Sequence, residues 1–69
     1  MGGWFEEQRL SWIVEMMWVY GFIRRDHLMR KFGISQPQAS KDLQSVLRQR
    51  PGLMHYDVSR KAYVARAKR

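Results

Sequence analysis

Arg25-Asp26-His27-Leu28-Met29-Arg30-Lys31-Phe32-Gly33-Ile34-Ser35-Gln36-Pro37-Gln38-Ala39-Ser40-Lys41-Asp42-Leu43, residues 25–43, is the stretch on which the fold turns. Its first half reads as a short helix over residues 25–32. Leu28 and Phe32 are one turn apart and Met29 lies beside them, so one face is apolar. Asp26 sits in the first turn, where a carboxylate suits the positive helix end. Gly33 breaks that helix and can take a positive φ. Ser35 is then a good N-cap for a third helix over residues 36–49, with Pro37 in a first turn that needs no N–H from it. Ala39, Leu43, Val46 and Leu47 give that helix its inward stripe, and Pro51-Gly52 stops it. Two helices joined by a short turn containing glycine form the helix-turn-helix pattern. Ile34 is placed to fill the angle between them, and small Ala39 lets them approach closely.

On either side the pattern extends. Residues 5–20 read as a first helix with Leu10, Ile13, Val14 and Met17 inward, closed by Gly21. Phe22-Ile23-Arg24 reads as an extended link. After Gly52 the period changes: Leu53-Met54-His55-Tyr56 and Ala62-Tyr63-Val64-Ala65 read as two strands around a polar turn, with Met54, Tyr56 and Tyr63 packing back on the helices. Arg66, Lys68 and Arg69 read as a frayed end. The expected fold is mostly α with a small β-hairpin: a winged helix-turn-helix of three helices plus a two-stranded wing over residues 53–65, filling the chain as one domain, 1–69.

Size and composition narrow the function. The chain has 69 residues, enough for a single small core and too few for a TIM barrel, a dinucleotide-binding fold or a two-domain enzyme. It has no cysteine, which excludes disulfides and thiolate metal sites. His27 and His55 are the only histidines and fall on different elements, and no carboxylate pair, phosphate loop or nucleophile motif accompanies them. No catalysis, metal or cofactor is therefore expected. The apolar run from Trp12 to Ile23 is too short to span a bilayer and lacks the basic lead and small-residue exit of a signal peptide, so a cytoplasmic location is expected.

Charge points to the partner. The net charge is +7, and residues 24–69 carry twelve basic groups against Asp26, Asp42 and Asp57, whereas residues 1–23 are net −2. A basic body behind an acidic helix suits a polyanion on one side. If the third helix enters a DNA major groove, the outward Gln36, Pro37, Gln38, Ser40, Lys41 and Gln44 are the candidate base readers. Glutamine offers the donor and acceptor pair that an adenine edge needs, and Pro37 an apolar edge for a thymine methyl. Arg24, Arg25, Ser35, Ser45 and Arg48 are candidate backbone contacts, joined by Arg60 and Lys61 at the wing. The first helix holds more apolar surface than a domain this small can bury. Trp4, Phe5, Trp12, Met16 and Val19 are therefore candidates for a dimer or interdomain interface. Two other readings remain open: a protein-interaction module of winged shape using that face, and a non-specific or RNA-binding basic domain. Tyr56 and Tyr63, as core residues, would not serve the last.

A resemblance adds to this. Gly21-Phe22-Ile23-Arg24-Arg25-Asp26-His27-Leu28, the run Phe32-Gly33-Ile34-Ser35-Gln36-Pro37-Gln38-Ala39-Ser40-Lys41-Asp42-Leu43, and Tyr56-Asp57-Val58-Ser59-Arg60-Lys61-Ala62-Tyr63-Val64 together resemble the N-terminal winged helix domain of bacterial WYL-domain transcriptional regulators. Arg9-Leu10 and Ile13-Val14-Glu15 match its first helix, and the branch that guards phage-defence operons looks nearest. The resemblance implies a homodimer that occupies a palindromic operator in double-stranded DNA and represses transcription by occlusion. It also implies a WYL domain and a dimerisation domain elsewhere in full-length members. Arg24 departs from the family pattern, which often has Asn or another capping residue there.

Overall fold

A computed structural model describes residues 3–66 of the chain. The elements follow in the order α1 (Gly3–Val19), β1 (Phe22–Ile23), α2 (Arg25–Phe32), α3 (Gln36–Gln49), β2 (Met54–Asp57) and β3 (Ala62–Ala65). This is the expected winged helix-turn-helix: three helices with a small antiparallel sheet. Lys68 and Arg69 of the expected frayed end lie outside the described residues. Arg66 is tied in, its N–H donating to the Leu53 carbonyl at 3.0 Å.

The core forms where the inward stripes converge. Ile13 and Met17 come from α1, Leu28 from α2, and Ala39, Leu43 and Val46 from α3; Ile23 and Met54 close it from the sheet. Leu10, Val14, Met29, Phe32, Ile34 and Leu47 pack around them half-buried. Each helix therefore buries the residues its apolar spacing selects. Gly21 turns the chain out of α1 at φ 81°, its N–H donating to the Met16 carbonyl at 3.1 Å.

Three expectations are corrected. Phe22-Ile23 is not a link but a strand, so the sheet has three strands in the order β1-β3-β2, and β3 is central. Phe22 pairs with Val64 and Ile23 with Tyr63. A two-residue strand has no period to read; its partner lies near the other end of the chain. Tyr56 is not in the core. It pairs with Tyr63 across the hairpin and shares the core-facing side of the sheet, yet it lies beyond the end of the apolar cluster and is 47% exposed. Trp12 and Met16 do not stand free on α1. Both are half-buried, and the Trp12 ring meets Phe32 edge-on with centroids 5.6 Å apart.

The hairpin needs no Asn-Gly turn because its loop is longer. Residues 58–61 connect the strands, with the Arg60 N–H donating to Asp57 Oδ1 at 3.1 Å and Lys61 left-handed at φ 55°. The wing tip is thus held by one aspartate side chain and one strained residue.

Candidate nucleic-acid interface

The entry to α3 is built by its cap. Gly33 is left-handed at φ 65°, and its N–H donates to the Met29 carbonyl at 2.8 Å, which ends α2. Ser35 then caps α3 by accepting the Gln38 N–H on its hydroxyl at 3.3 Å, with Pro37 in the first turn. The opposite end of α2 is capped by an unexpected group: His27 Nδ1 accepts the Arg24 N–H at 3.0 Å. Histidine here takes the place that glutamate or glutamine holds in a capping box. His27 is half-buried.

α3 has three faces. Ala39, Leu43 and Val46 face the core. A second face is locked to α1: Arg9 donates to Asp42 from Nε at 2.6 Å and from Nη2 at 3.3 Å, and the Gln38 amide donates to the same carboxylate at 2.9 Å. Asp42 is 2% exposed, and its hydrogen bond holds the Arg9 guanidinium above its ordinary pKa. The outward placement of Gln38 and Ser45 is therefore corrected. Gln38 is half-buried and bound to Asp42, and Ser45 is 8% exposed with its hydroxyl accepting from Arg48 at 3.3 Å. Both lie one turn from Asp42, on the side the Arg9 lock turns inward.

The third face is open. Gln36, Pro37, Lys41, Gln44 and Arg48 are exposed, and Ser40 is half-buried. Ser40 and Gln44 line a shallow concavity of about 430 Å³ together with Arg24 and Arg25 at the start of α2, Leu47 of α3, and Tyr56, Lys61 and Tyr63 of the hairpin. Arg25 Nη1 donates to Ser40 Oγ, and Gln44 Nε2 to the Tyr63 hydroxyl, each at 3.3 Å. Lys41 borders a different hollow with Gln38, Asp42 and Ser45 near the start of α1. Arg60 is exposed at the wing tip, 3.9 Å from Asp57, and does not line the concavity. Five expected contacts are thus gathered into one basic hollow beside α3: Arg24, Arg25, Ser40, Gln44 and Lys61. Gln36, Pro37, Arg48 and Arg60 stand apart from it, and Ser35 is at the cap.

Residues 6–68 match the family of the BrxR transcriptional regulator winged helix-turn-helix domain. The chain belongs to this family. Two similar relatives, from Escherichia coli (strain KTE188) and from Escherichia coli, are each described as "DNA-binding transcriptional repressor CapW". Each is 40% identical over 60 residues, which is 87% of this chain and 20% of the relative. The chain therefore spans about a fifth of the length of the curated relatives it matches.

Away from the basic hollow, this winged domain presents a second surface. Trp4, Phe5, Trp18, Val19 and Tyr20 are exposed, while Trp12 and Met16 floor a groove with Tyr20, Phe22, Ile23, His27, Arg30 and Lys31. Lys31 Nζ sits 5.9 Å above the Trp12 ring, and Arg30 is paired with Asp26 at 2.9 Å. The expected interface residues thus divide: Trp4, Phe5 and Val19 are solvent-facing, whereas Trp12 and Met16 are partly used within the domain. Among the described residues, no group of three His, Asp or Glu could hold a metal, and no helix is long and apolar enough to cross a membrane.

Sequence reasoning missed Tyr63, Tyr56 and the Arg9–Asp42 pair. Asp42 left one signal: a carboxylate beside Leu43 in an otherwise basic helix, with Arg9 the lone cation of α1. The tyrosines left none, since their role depends on register.

Proposed function

We propose that the chain, residues 1–69, is the sequence-specific double-stranded DNA-binding domain of a transcriptional repressor. The observation that supports this best is the concavity in which Ser40 and Gln44 of α3 stand with Arg24 and Arg25 at the start of α2 and Lys61 of the wing. In this arrangement α3 enters the major groove with its N-terminal half leading, and the flanking cations lie along the phosphates. Gln36, Pro37, Ser40, Lys41 and Gln44 are the proposed base readers. Arg24, Arg25, Ser35, Arg48, Arg60 and Lys61 are the proposed backbone contacts. Gln38 is assigned to holding the Asp42 carboxylate that Arg9 binds, and Ser45 to the buried side of α3 beside it. The description of the relatives as DNA-binding transcriptional repressors supports the same reading.

The finer reading follows the resemblance carried by the sequence motifs. We propose a WYL-domain regulator of a phage-defence operon, cytoplasmic, that acts by occluding a palindromic operator as a homodimer. The exposed residues of α1 are proposed to meet a second protomer or a further domain. No chemistry is required of the chain.

The test is a fluorescence-anisotropy titration of a labelled random-sequence duplex at several salt concentrations. Binding is expected, with the logarithm of the affinity falling by about 0.9 per phosphate engaged for each decade of salt. Absence of binding at low salt would reject the DNA-binding reading.

A further inference from the structure

We infer that Tyr63 is a specificity-determining positioning residue, whose hydroxyl sets Gln44 to read an adenine edge in the major groove. The inference deepens the DNA-binding reading and rests on it.

The Tyr63 ring is fixed from three sides. It sits on the central strand, paired with Ile23 of β1 and with Tyr56 of β2. It packs half-buried against the core, and the Tyr56 ring meets it edge-on with centroids 4.9 Å apart. A side chain held this way has little rotamer freedom left. Its hydroxyl is delivered to α3 at a set place and accepts from Gln44 Nε2.

The chemistry follows from counting donors. A glutamine amide has two N–H groups and a carbonyl oxygen. Tyr63 takes one N–H. One N–H and the carbonyl remain, which is the donor and acceptor pair that matches adenine N7 and N6. A free glutamine must lose rotamer entropy to present that pair. Gln44 has its side chain tethered before DNA arrives. Ser40, one turn earlier, is held in the same manner by Arg25 of α2, and its hydroxyl proton stays available to an acceptor. The wing therefore acts on sequence choice through α3 as well as on the backbone directly.

The experiment uses this chain with the duplex it selects from a random pool. Each base pair of that duplex is then changed singly, and affinity is measured for wild type, Tyr63→Phe, Gln44→Ala and the double variant. Gln44→Ala is expected to remove the preference for A·T at one base pair, a discrimination of about five- to 150-fold for a bidentate contact. Tyr63→Phe is expected to lose about three- to tenfold of the preference at the same base pair, because the freed glutamine must then give up rotamer entropy to present its donor and acceptor. Its loss on a random duplex should be smaller than on the selected one, and Tm should fall by no more than about 8 °C, the worth of one hydrogen bond. The double variant should be no worse than Gln44→Ala, since the tyrosine acts only through the glutamine. Three results overturn the inference while the DNA-binding reading stands: full preference retained in Tyr63→Phe, an equal loss on every duplex, or no base pair that responds to Gln44→Ala. A wild-type chain that binds no duplex overturns both.

Discussion

Asp42 shows how one buried carboxylate decides what neighbouring side chains are available to do. It is a charge inside an 8.3 kDa domain, and it is tolerable only because Arg9 and Gln38 satisfy it. Arg9→Met keeps most of the side-chain bulk and removes that partner. We expect a loss of about 3 kcal/mol in urea denaturation, the lower end for breaking a buried pair, because Arg9 retains some solvent contact. A chain of this length has about 3–10 kcal/mol in total, so the change is large. Adding Asp42→Leu to Arg9→Met should restore most of the stability, because the stranded charge is gone. A loss below about 0.5 kcal/mol for Arg9→Met would mean the pair is a surface decoration. Lys61 makes the opposite case. It occupies a left-handed conformation at φ 55° that costs a non-glycine residue about 1 kcal/mol, and its cation borders the proposed interface. Lys61→Gly should therefore stabilise the fold by up to about 1 kcal/mol, weaken binding to a random duplex, and reduce the salt slope by about 0.9. Equal salt slopes would remove Lys61 from the phosphate contacts.

The helix-turn-helix unit is set by the turn more than by either helix. Gly33 ends α2 in a left-handed conformation, and a Cβ added there would meet no atom within 4 Å. Gly33→Ala should thus cost only the backbone penalty, about 1–2 kcal/mol, seen as a fall in Tm of about 4–15 °C. A smaller shift would mean that the turn can relax to another conformation. This unit was readable in the sequence because each of its signals is local: a glycine, a serine cap, a proline and apolar residues at helical spacing. β1 was not readable, since two residues carry no period and the pairing with β3 is the only reason it is a strand. Gln38 and Ser45 were assigned outward because spacing separates an apolar face from a polar one. It cannot separate a polar face in solvent from a polar face bound to α1. The same limit hid the tyrosines. Alternation puts Tyr56 and Tyr63 on the core side of the sheet, but how far the core reaches along that side depends on how the helices pack against it.

At the scale of the whole molecule, charge and apolar surface are partly segregated. Arg24, Arg25 and Lys61 border Ser40 and Gln44 of α3, whereas Trp4, Phe5, Trp18 and Tyr20 are exposed on and beside α1, with Glu6, Glu7 and Glu15; Arg30 and Lys31 line the groove on that aromatic side. The charge asymmetry along the sequence anticipated this division, because α1 packs on the helix-turn-helix unit as a separate layer. Aromatic side chains left in water on a chain this short are a cost to solubility, so a covering surface gives them a physical role. Trp18 is the best probe: at 76% exposed it supports nothing inside the domain, unlike Trp12, whose loss would disturb the packing on Phe32. Trp18→Ser should change stability by no more than about 0.5 kcal/mol. If the α1 face joins two copies, the same change removes an aromatic anchor and should weaken the dimer by at least about 30-fold in Kd, the loss of about 2 kcal/mol typical of such an anchor. Sedimentation equilibrium of both proteins over a range of concentrations reads this directly, and half-site binding by the monomer should not change. Identical monomer–dimer curves would take Trp18 out of any self-association. A wild-type chain that stays monomeric throughout would show that the α1 face does not join two copies.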